Sequence, residues 1–429
     1  MAMRNLFVGV CAALLLAGCW SSPETKETGQ SVSAKKFMGA CNVEGLAGPG
    51  RQTVILIDPS SLVKSTGGSD FSAKNARLRD ALLAIADPDV AGDTGNLAPR
   101  ELVTVFLTSP TGAAPQLIFS GCAPSLTEAE RTQLEKNNST IGKASDTFFG
   151  RGTANEIKEQ KEGYREALIA SLNVASQAKA DGGAERDGGF AQSAFVASIR
   201  SATRLYDPAG GMARMVLIAP GAIGKAPSYP NPVEARKAGF ADAKNAGLDL
   251  AGVEVVVAMA NSDRTRNYLD AFMLGSGGDL VAFSNGAPSG LPGPPMWRKT
   301  YVGTIAIGGE TYPAEARIAV DARGNLVNSW LEMRGISKKT VPLSGMATCR
   351  GAGKCDLRSD DRGFAHRFYA DRSEAAIGSD GSQPFGGMRR FEMAIDQGKL
   401  VARVYDPGIS QIGDDPNAKD FRFTLSERT

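Results

Sequence analysis

Cysteine, histidine and paired carboxylates are the side chains best suited to chemistry in this chain, and their number and spacing set the first limits. There are six cysteines and one histidine, His366, in 429 residues, and no four of them fall at the spacing of a zinc site. A Ser-His-acid triad would have to use His366, which lies in the strand-like stretch Gly363-Phe364-Ala365-His366-Arg367-Phe368-Tyr369, and no serine nucleophile elbow accompanies it. Glycoside hydrolysis needs two separately positioned carboxylates. The adjacent pairs Asp360-Asp361 and Asp414-Asp415 sit beside glycines and read as solvated turn residues. No Walker-type loop or Gly-x-Gly-x-x-Gly follows an apolar strand, so no nucleotide cofactor is expected. The expectation is a protein that is not an enzyme and holds no cofactor.

Charge narrows the partners. The chain carries 48 basic and 46 acidic side chains, a formal net charge of +2. The balance holds along the length: residues 297–429 have 20 basic and 17 acidic groups, residues 19–296 have 27 and 29. A phosphate-binding domain would show a regional basic excess, so nucleic acid is not expected as a partner.

The amino terminus says where the protein resides. Arg4 precedes an apolar stretch from Leu6 to Gly18, too short for a bilayer core that takes about 20 helical residues, and it reads as an export signal. Its end, Leu16-Ala17-Gly18-Cys19, resembles the bacterial lipoprotein signal. That resemblance implies cleavage after residue 18 and a lipid on Cys19, and Trp20 in the next position implies the outer membrane by analogy with enteric lipoproteins. Loss of Arg4 with the signal leaves a side-chain balance of +1. Residues 19–36 are polar and read as a tether, spanning roughly 20–25 Å as a flexible chain.

Export makes the remaining cysteines a disulfide set. Cys11 leaves with the signal, and Cys41, Cys122, Cys349 and Cys355 remain. Cys349 and Cys355 flank Arg-Gly-Ala-Gly-Lys, short and glycine-bearing enough to fold back, so they are expected to pair. Cys41 with Cys122 follows by elimination; free or metal-binding thiols are the alternative.

The elements behind these residues alternate. Thr53–Ile57, Leu102–Leu107, Met215–Ala219 and Val253–Ala258 are short apolar or β-branched runs of the kind buried on both faces of a sheet. Gln116–Phe119 is expected to form a hairpin with the second of these, and Val281–Phe283 a last edge strand. Helical spacing is expected around Leu78, Leu82 and Ile85, stopped by Asp87-Pro88, and over residues 126–136, 154–179, 195–206, 232–246 and 264–274. Ser125 or Thr127, with Glu128 or Glu130 three residues on, offers a capping box. This pattern predicts a mostly parallel sheet with helices on both faces.

Residues 50–285 resemble the von Willebrand factor A family. The opening strand ends in Asp-x-Ser (Asp58, Ser60), a hairpin follows the first helix, the pair Gly188-Gly189 opens a later helix, and Gly277-Gly278 follows the last helix. The resemblance implies a divalent cation held by Asp-x-Ser-x-Ser, a Thr on a later loop and a further Asp, with oxygen ligands suited to Mg²⁺. The carry-over is incomplete. The fifth position is Leu62, Phe190 stands where the family's Thr follows Gly-Gly, and Ala219-Pro220-Gly221 replaces Thr-Asp-Gly. The metal site is therefore degenerate and no metal is expected; Asp58, Ser60 and, under a different alignment, Thr153 are the residues left to supply oxygens.

Residues 286–296, with four prolines and three glycines between Gly286 and Pro295, read as a linker. Beyond it the apolar period becomes two. Residues 301–307, 314–320, 326–333, 366–369, 391–395, 400–404 and 421–425 read as strands, so residues 297–429 are expected to form a small antiparallel barrel or sandwich. The expected organisation is a signal (1–18), a tether (19–36), a von Willebrand A-like α/β domain (37–285), the linker and the β domain. The expected role is non-catalytic protein binding or scaffolding at the cell envelope, through its membrane anchor, with other envelope proteins or a surface polymer as partners. A cation-dependent adhesion protein and a carrier holding a lipid or small ligand in the β domain are the alternatives.

Overall fold

The structure is a computed structural model describing residues 34–43, 45–58, 75–93, 96–108, 114–127, 129–130, 132–133, 154–182, 192–204, 213–218, 232–260, 263–307, 309–334, 340–350, 353–359, 390–405 and 421–428. Cys19, Ser60, Thr153 and His366, and the strand expected at 366–369, lie outside these residues.

The first sheet is built from the apolar runs. Its strands are β1 (Lys35–Phe37), β2 (Gln52–Ile57), β3 (Leu102–Leu107), β4 (Gln116–Cys122), β5 (Ala213–Ile218), β6 (Glu254–Ala258) and β7 (Asp279–Phe283), in the order β1-β4-β3-β2-β5-β6-β7. Strands β3, β2, β5, β6 and β7 are parallel; β4 runs antiparallel to β3, and β1 lies parallel to β4. The helices are α1 (Ala76–Ala86), the single turn α2 (Val90–Asp93), α3 (Ala154–Gly182), α4 (Gln192–Thr203), α5 (Pro232–Ala246) and α6 (Asp263–Gly275).

Strand pleating sorts these side chains into two cores. Along β2, Ile55 and Ile57 join Val103, Val105 and Val216 beneath Leu78, Leu82 and Ile85 of α1 and Tyr164, Leu168 and Leu172 of α3. Val54 and Leu56 face the other way, with Met215, Leu217, Val255 and Val257, against Ile199 of α4, Ala235 and Ala243 of α5 and Leu269 and Phe272 of α6. Both faces are covered, which is why the strand sequences lack polar alternation.

Polar side chains fix the helix ends. Asp87 closes α1, and its fully buried carboxylate accepts the N–H groups of Asp89 and Val90 at 2.9 Å and a two-pronged contact from Arg165 of α3. Burial opposes ionisation there, but the guanidinium and the two N–H donors outweigh it and hold the carboxyl below its ordinary pKa. Of the two capping-box options, Thr127 and Glu130 form the reciprocal pair, with Glu130 N–H donating to Thr127 Oγ1 at 3.1 Å and Thr127 N–H to Glu130 Oε2 at 2.8 Å.

The first strand begins inside the segment expected to be tether. Lys35–Phe37 pairs with Phe119–Gly121, and Phe37 and Phe119 both meet the ring of Tyr164 edge-on, at 5.6 and 5.3 Å. Gly121 permits the approach, since a Cβ there would lie 2.9 Å from the Phe37 carbonyl oxygen.

The second sheet has nine strands among the described residues: β8 (Pro295–Ile307), β9 (Glu310–Asp321), β10 (Trp330–Met333), β11 (Val341–Pro342), β12 (Gly345–Cys349), β13 (Cys355–Ser359), β14 (Arg390–Asp396), β15 (Lys399–Tyr405) and β16 (Phe421–Glu427). All are antiparallel, in the order β11-β10-β9-β8-β16-β15-β14-β13-β12. The sheet curls into a half-barrel whose far strand returns to its beginning. Leu326 N–H donates to Gly345 O at 2.9 Å, Ala347 N–H donates to Gly324 O at 2.7 Å, and Asn325 bridges Met346. Inward residues, among them Tyr301, Ile318, Leu331, Leu357, Phe391, Leu400 and Leu425, form one packed cluster.

Residues 286–296 bind the halves together. Leu291 is fully buried in the same core as α1 and α3. Arg323 Nη2 donates to Leu291 O, and Gly293 N–H donates to Asp321 Oδ2 at 3.0 Å. A second tie runs from Thr340 Oγ1 to Asp249 Oδ1 at 2.7 Å. Gly252, at φ +73°, lies against Trp330, where a Cβ would meet the ring at 2.9 Å. Residues 32–429 accordingly form one compact unit.

Candidate functional site

Strand order locates the place where an open sheet of this class binds. Counting the six strands from β2 to β7 as they occur, their order is 3-2-1-4-5-6, and the direction of winding reverses between β2 and β5. Ligand crevices form outside the carboxyl ends of the strands at that switch point.

Asp58 stands there. It follows Ile57 of β2, donates its N–H to Ile218 O of β5 at 3.2 Å, and is 3% exposed. Thr108 follows β3 and donates its N–H to Ile57 O at 3.0 Å and its hydroxyl to the same oxygen at 3.3 Å. Asn75, buried at the head of α1, is the third polar residue at this end. The turn after β6 is tied to the chain beyond β7: Met259, at φ +58°, donates to Gly286 O at 3.3 Å, Ala260 donates to Ser284 O at 3.0 Å, and Arg77 reaches Asn285 O at 3.0 Å. These bonds make a firm base at the carboxyl ends of β2, β3 and β6.

Of Asp58, Ser60 and Thr153, the residues left to supply oxygens at a site where no metal is expected, Asp58 is the one within the described residues, and it takes part in further polar interactions of its own. Among the described residues no group of three His, Cys, Asp or Glu side chains is arranged to hold a metal ion.

The four cysteines expected to bond are paired as Cys41–Cys122 and Cys349–Cys355, with Cα separations of 5.2 and 4.0 Å. The first closes the amino-terminal segment onto the end of β4. The second joins β12 to β13 at a directly opposed position. Arg100 reinforces the first. It is buried at φ +54° and donates to the carbonyls of Ala40 (3.0 Å), Cys41 (3.1 Å) and Ala47 (2.7 Å), while Nη1 pairs with Glu130 at 2.9 Å.

The opposite end of the sheet holds a cluster that sequence reasoning missed. Arg51, Glu101, Arg214 and Glu254 sit at the amino ends of β2, β3, β5 and β6, with side chains no more than 2% exposed. Glu254 Oε2 accepts from Arg51 Nη2 and Arg214 Nε, both at 3.0 Å. Glu101 accepts from Thr53 Oγ1 and from Ala98 N–H, the latter at 2.7 Å, and lies 3.7 Å from Arg51 Nε. Arg214 donates onward to Asn96 O at 2.8 Å and to Pro292 O, reaching the segment that joins the halves. Desolvation, then the neighbouring charge of Arg51, draws the Arg214 pKa down, while Glu254 and Glu101 oppose that shift. The signal in the sequence is a charged residue at the head of four successive apolar runs.

No helix among the described residues is long and apolar enough to cross a membrane. No protein-family model matches the chain, and no curated protein matches its sequence.

Proposed function

We propose that this protein is a lipid-anchored envelope lipoprotein whose von Willebrand A-like body acts by binding other envelope components, without catalysis. The observation that carries this reading is the combination of Leu16-Ala17-Gly18-Cys19 with complete pairing of the four cysteines downstream, a pattern suited to an oxidising compartment. The six-strand order and the firm base at the β2/β5 switch point support a binding surface built from the carboxyl-end loops.

One observation favours a second reading, cation-dependent adhesion: Asp58 follows β2 at the switch point, the position that the resemblance gives to the first metal ligand. The two readings separate on a melting curve. A cation bound only to the native state stabilises it by about 2.7 kcal/mol at a hundredfold excess over its Kd. With 10 mM MgCl2 the melting midpoint is expected to stay unchanged. A rise that disappears in Asp58→Ala transfers the assignment to adhesion.

A further inference from the structure

The two disulfides differ in what surrounds them. Cys41 and Cys122 are 6% and 0% exposed, pack with Ala40 and Leu102, and are covered on the chain side by Arg100, which donates to the Cys41 carbonyl at 3.1 Å. An attacking thiol reaches those sulfurs only through local opening. The bond between Cys349 and Cys355 lies half in and half out of the half-barrel. Cys355 is 5% exposed and belongs to the packed interior, whereas Cys349, the last residue of β12, is exposed.

Register makes this second bond separable from the fold. Arg350 N–H donates to Lys354 O at 2.8 Å, so the neighbouring pair, Cys349 opposite Cys355, is a position of the antiparallel ladder where the two residues exchange no backbone hydrogen bonds. The sulfur bridge is the link between β12 and β13 at that level, and the ladder on either side does not pass through it. The start of β12 is held separately, Gly345 O accepting from Leu326 and Ala347 N–H donating to Gly324 O. Nearby charges are matched, with Arg350 at 3.9 Å from Asp356 and Lys354 at 3.3 Å from Asp396, so a thiolate meets no net repulsion.

We infer that Cys349–Cys355 is a thiol–disulfide exchange site, opened in the folded protein by a dithiol partner of the Cys-x-x-Cys type, while Cys41–Cys122 stays closed. The partner's thiolate attacks the exposed Cys349 Sγ. A new S–S bond forms between partner and Cys349, and the Cys355 sulfur leaves with the electron pair of the old bond and takes up a proton. The partner's second thiol gives up its proton, attacks the partner sulfur of the mixed disulfide and releases Cys349, which is protonated in turn. Two electrons and two protons pass from the partner, left as a disulfide, to this protein, left as a dithiol. Reduced Cys355 remains in the interior as a small apolar side chain, and the end of β12 is then held by backbone bonds alone. Exposed disulfides are the labile, regulatory kind. Such an exchange is separate from the binding role proposed above and does not depend on the anchor.

The test uses the full-length oxidised protein in detergent, with dithiothreitol as the reductant under native conditions. Thiols released with time are blocked with one isotopic form of iodoacetamide, the remainder are labelled with the other after denaturation and full reduction, and the four cysteine peptides are quantified. Cys349 and Cys355 are expected to be released about a hundredfold faster than Cys41 and Cys122, with the circular dichroism spectrum unchanged. Thioredoxin whose second active-site cysteine is replaced by alanine is expected to be trapped as a mixed disulfide on Cys349. Release of all four cysteines at similar rates, release of Cys349 and Cys355 only in step with loss of the native spectrum, or a trapped adduct on Cys355 or on neither would each overturn the assignment.

Discussion

Glu254→Ala is expected to lower the unfolding free energy by about 3–5 kcal/mol, the usual cost of removing one partner from a buried ion pair, and so the melting midpoint by roughly 10 °C. Glu254 Oε2 accepts from both Arg51 and Arg214 at 3.0 Å, and all three side chains are no more than 2% exposed. Truncation leaves two guanidinium groups in the interior without the carboxylate to which both donate, Glu101 remaining 3.7 Å from Arg51. Much of the cost is the desolvation of those cations, so replacing the cluster as a whole with apolar residues of similar volume is expected to cost far less. Thermal unfolding followed by circular dichroism checks both. A Glu254→Ala protein within 1 °C of the wild type would show that the amino ends of the strands do not depend on this pairing.

The second large effect concerns the disulfides, and it differs between them. In the chain-entropy account stabilisation grows with the logarithm of the loop closed. Cys41–Cys122 closes a separation of 81 residues and Cys349–Cys355 one of 6, which gives about 4 and about 2 kcal/mol. Cys41→Ser/Cys122→Ser is therefore expected to shift the urea midpoint about twice as far as Cys349→Ser/Cys355→Ser. The larger loss should be accompanied by earlier proteolytic cleavage in the amino-terminal segment, because the β1 pairing and the bonds of Arg100 to Ala40, Cys41 and Ala47 would then hold it without a covalent link. Equal shifts would mean that native-state contacts, not loop closure, set the contribution of each bond.

These dependences explain which parts of the fold could be read from sequence. Buried parallel strands announce themselves as unbroken apolar runs, and β2, β3, β5 and β6 fall within a residue or two of the expected bounds. The first strand is short and lies at the edge, Phe37 being its one apolar side chain, so Lys35-Lys36-Phe37 carries no pattern. Residues 326–333 read as one strand, yet Asn328 adopts φ +48° and the ladder restarts at Trp330. The strands β12 and β13 lack any long apolar run; a side chain on alternate positions, such as Ala347 or Leu357, suffices because the opposite face is wet. Proline and glycine at 286–296 signal a linker by composition, while the single apolar anchor Leu291 decides how it packs.

The candidate site was legible to a similar degree. A strand-end aspartate identifies the switch point, since Asp58 must follow the last buried residue of β2. The charge cluster at the other end was not legible as a unit, because its partners lie 40 and 203 residues apart and only the sheet order brings them together.

The most direct test of the proposed role is the mass of the amino-terminal peptide from protein recovered in the membrane fraction. The expected peptide begins at Cys19, carries acyl chains on that residue, and is lost from membranes in Cys19→Ser, with Cys41–Cys122 and Cys349–Cys355 oxidised in the same preparation. An unacylated peptide that begins elsewhere, or protein in the cytosol with reduced thiols, would contradict it.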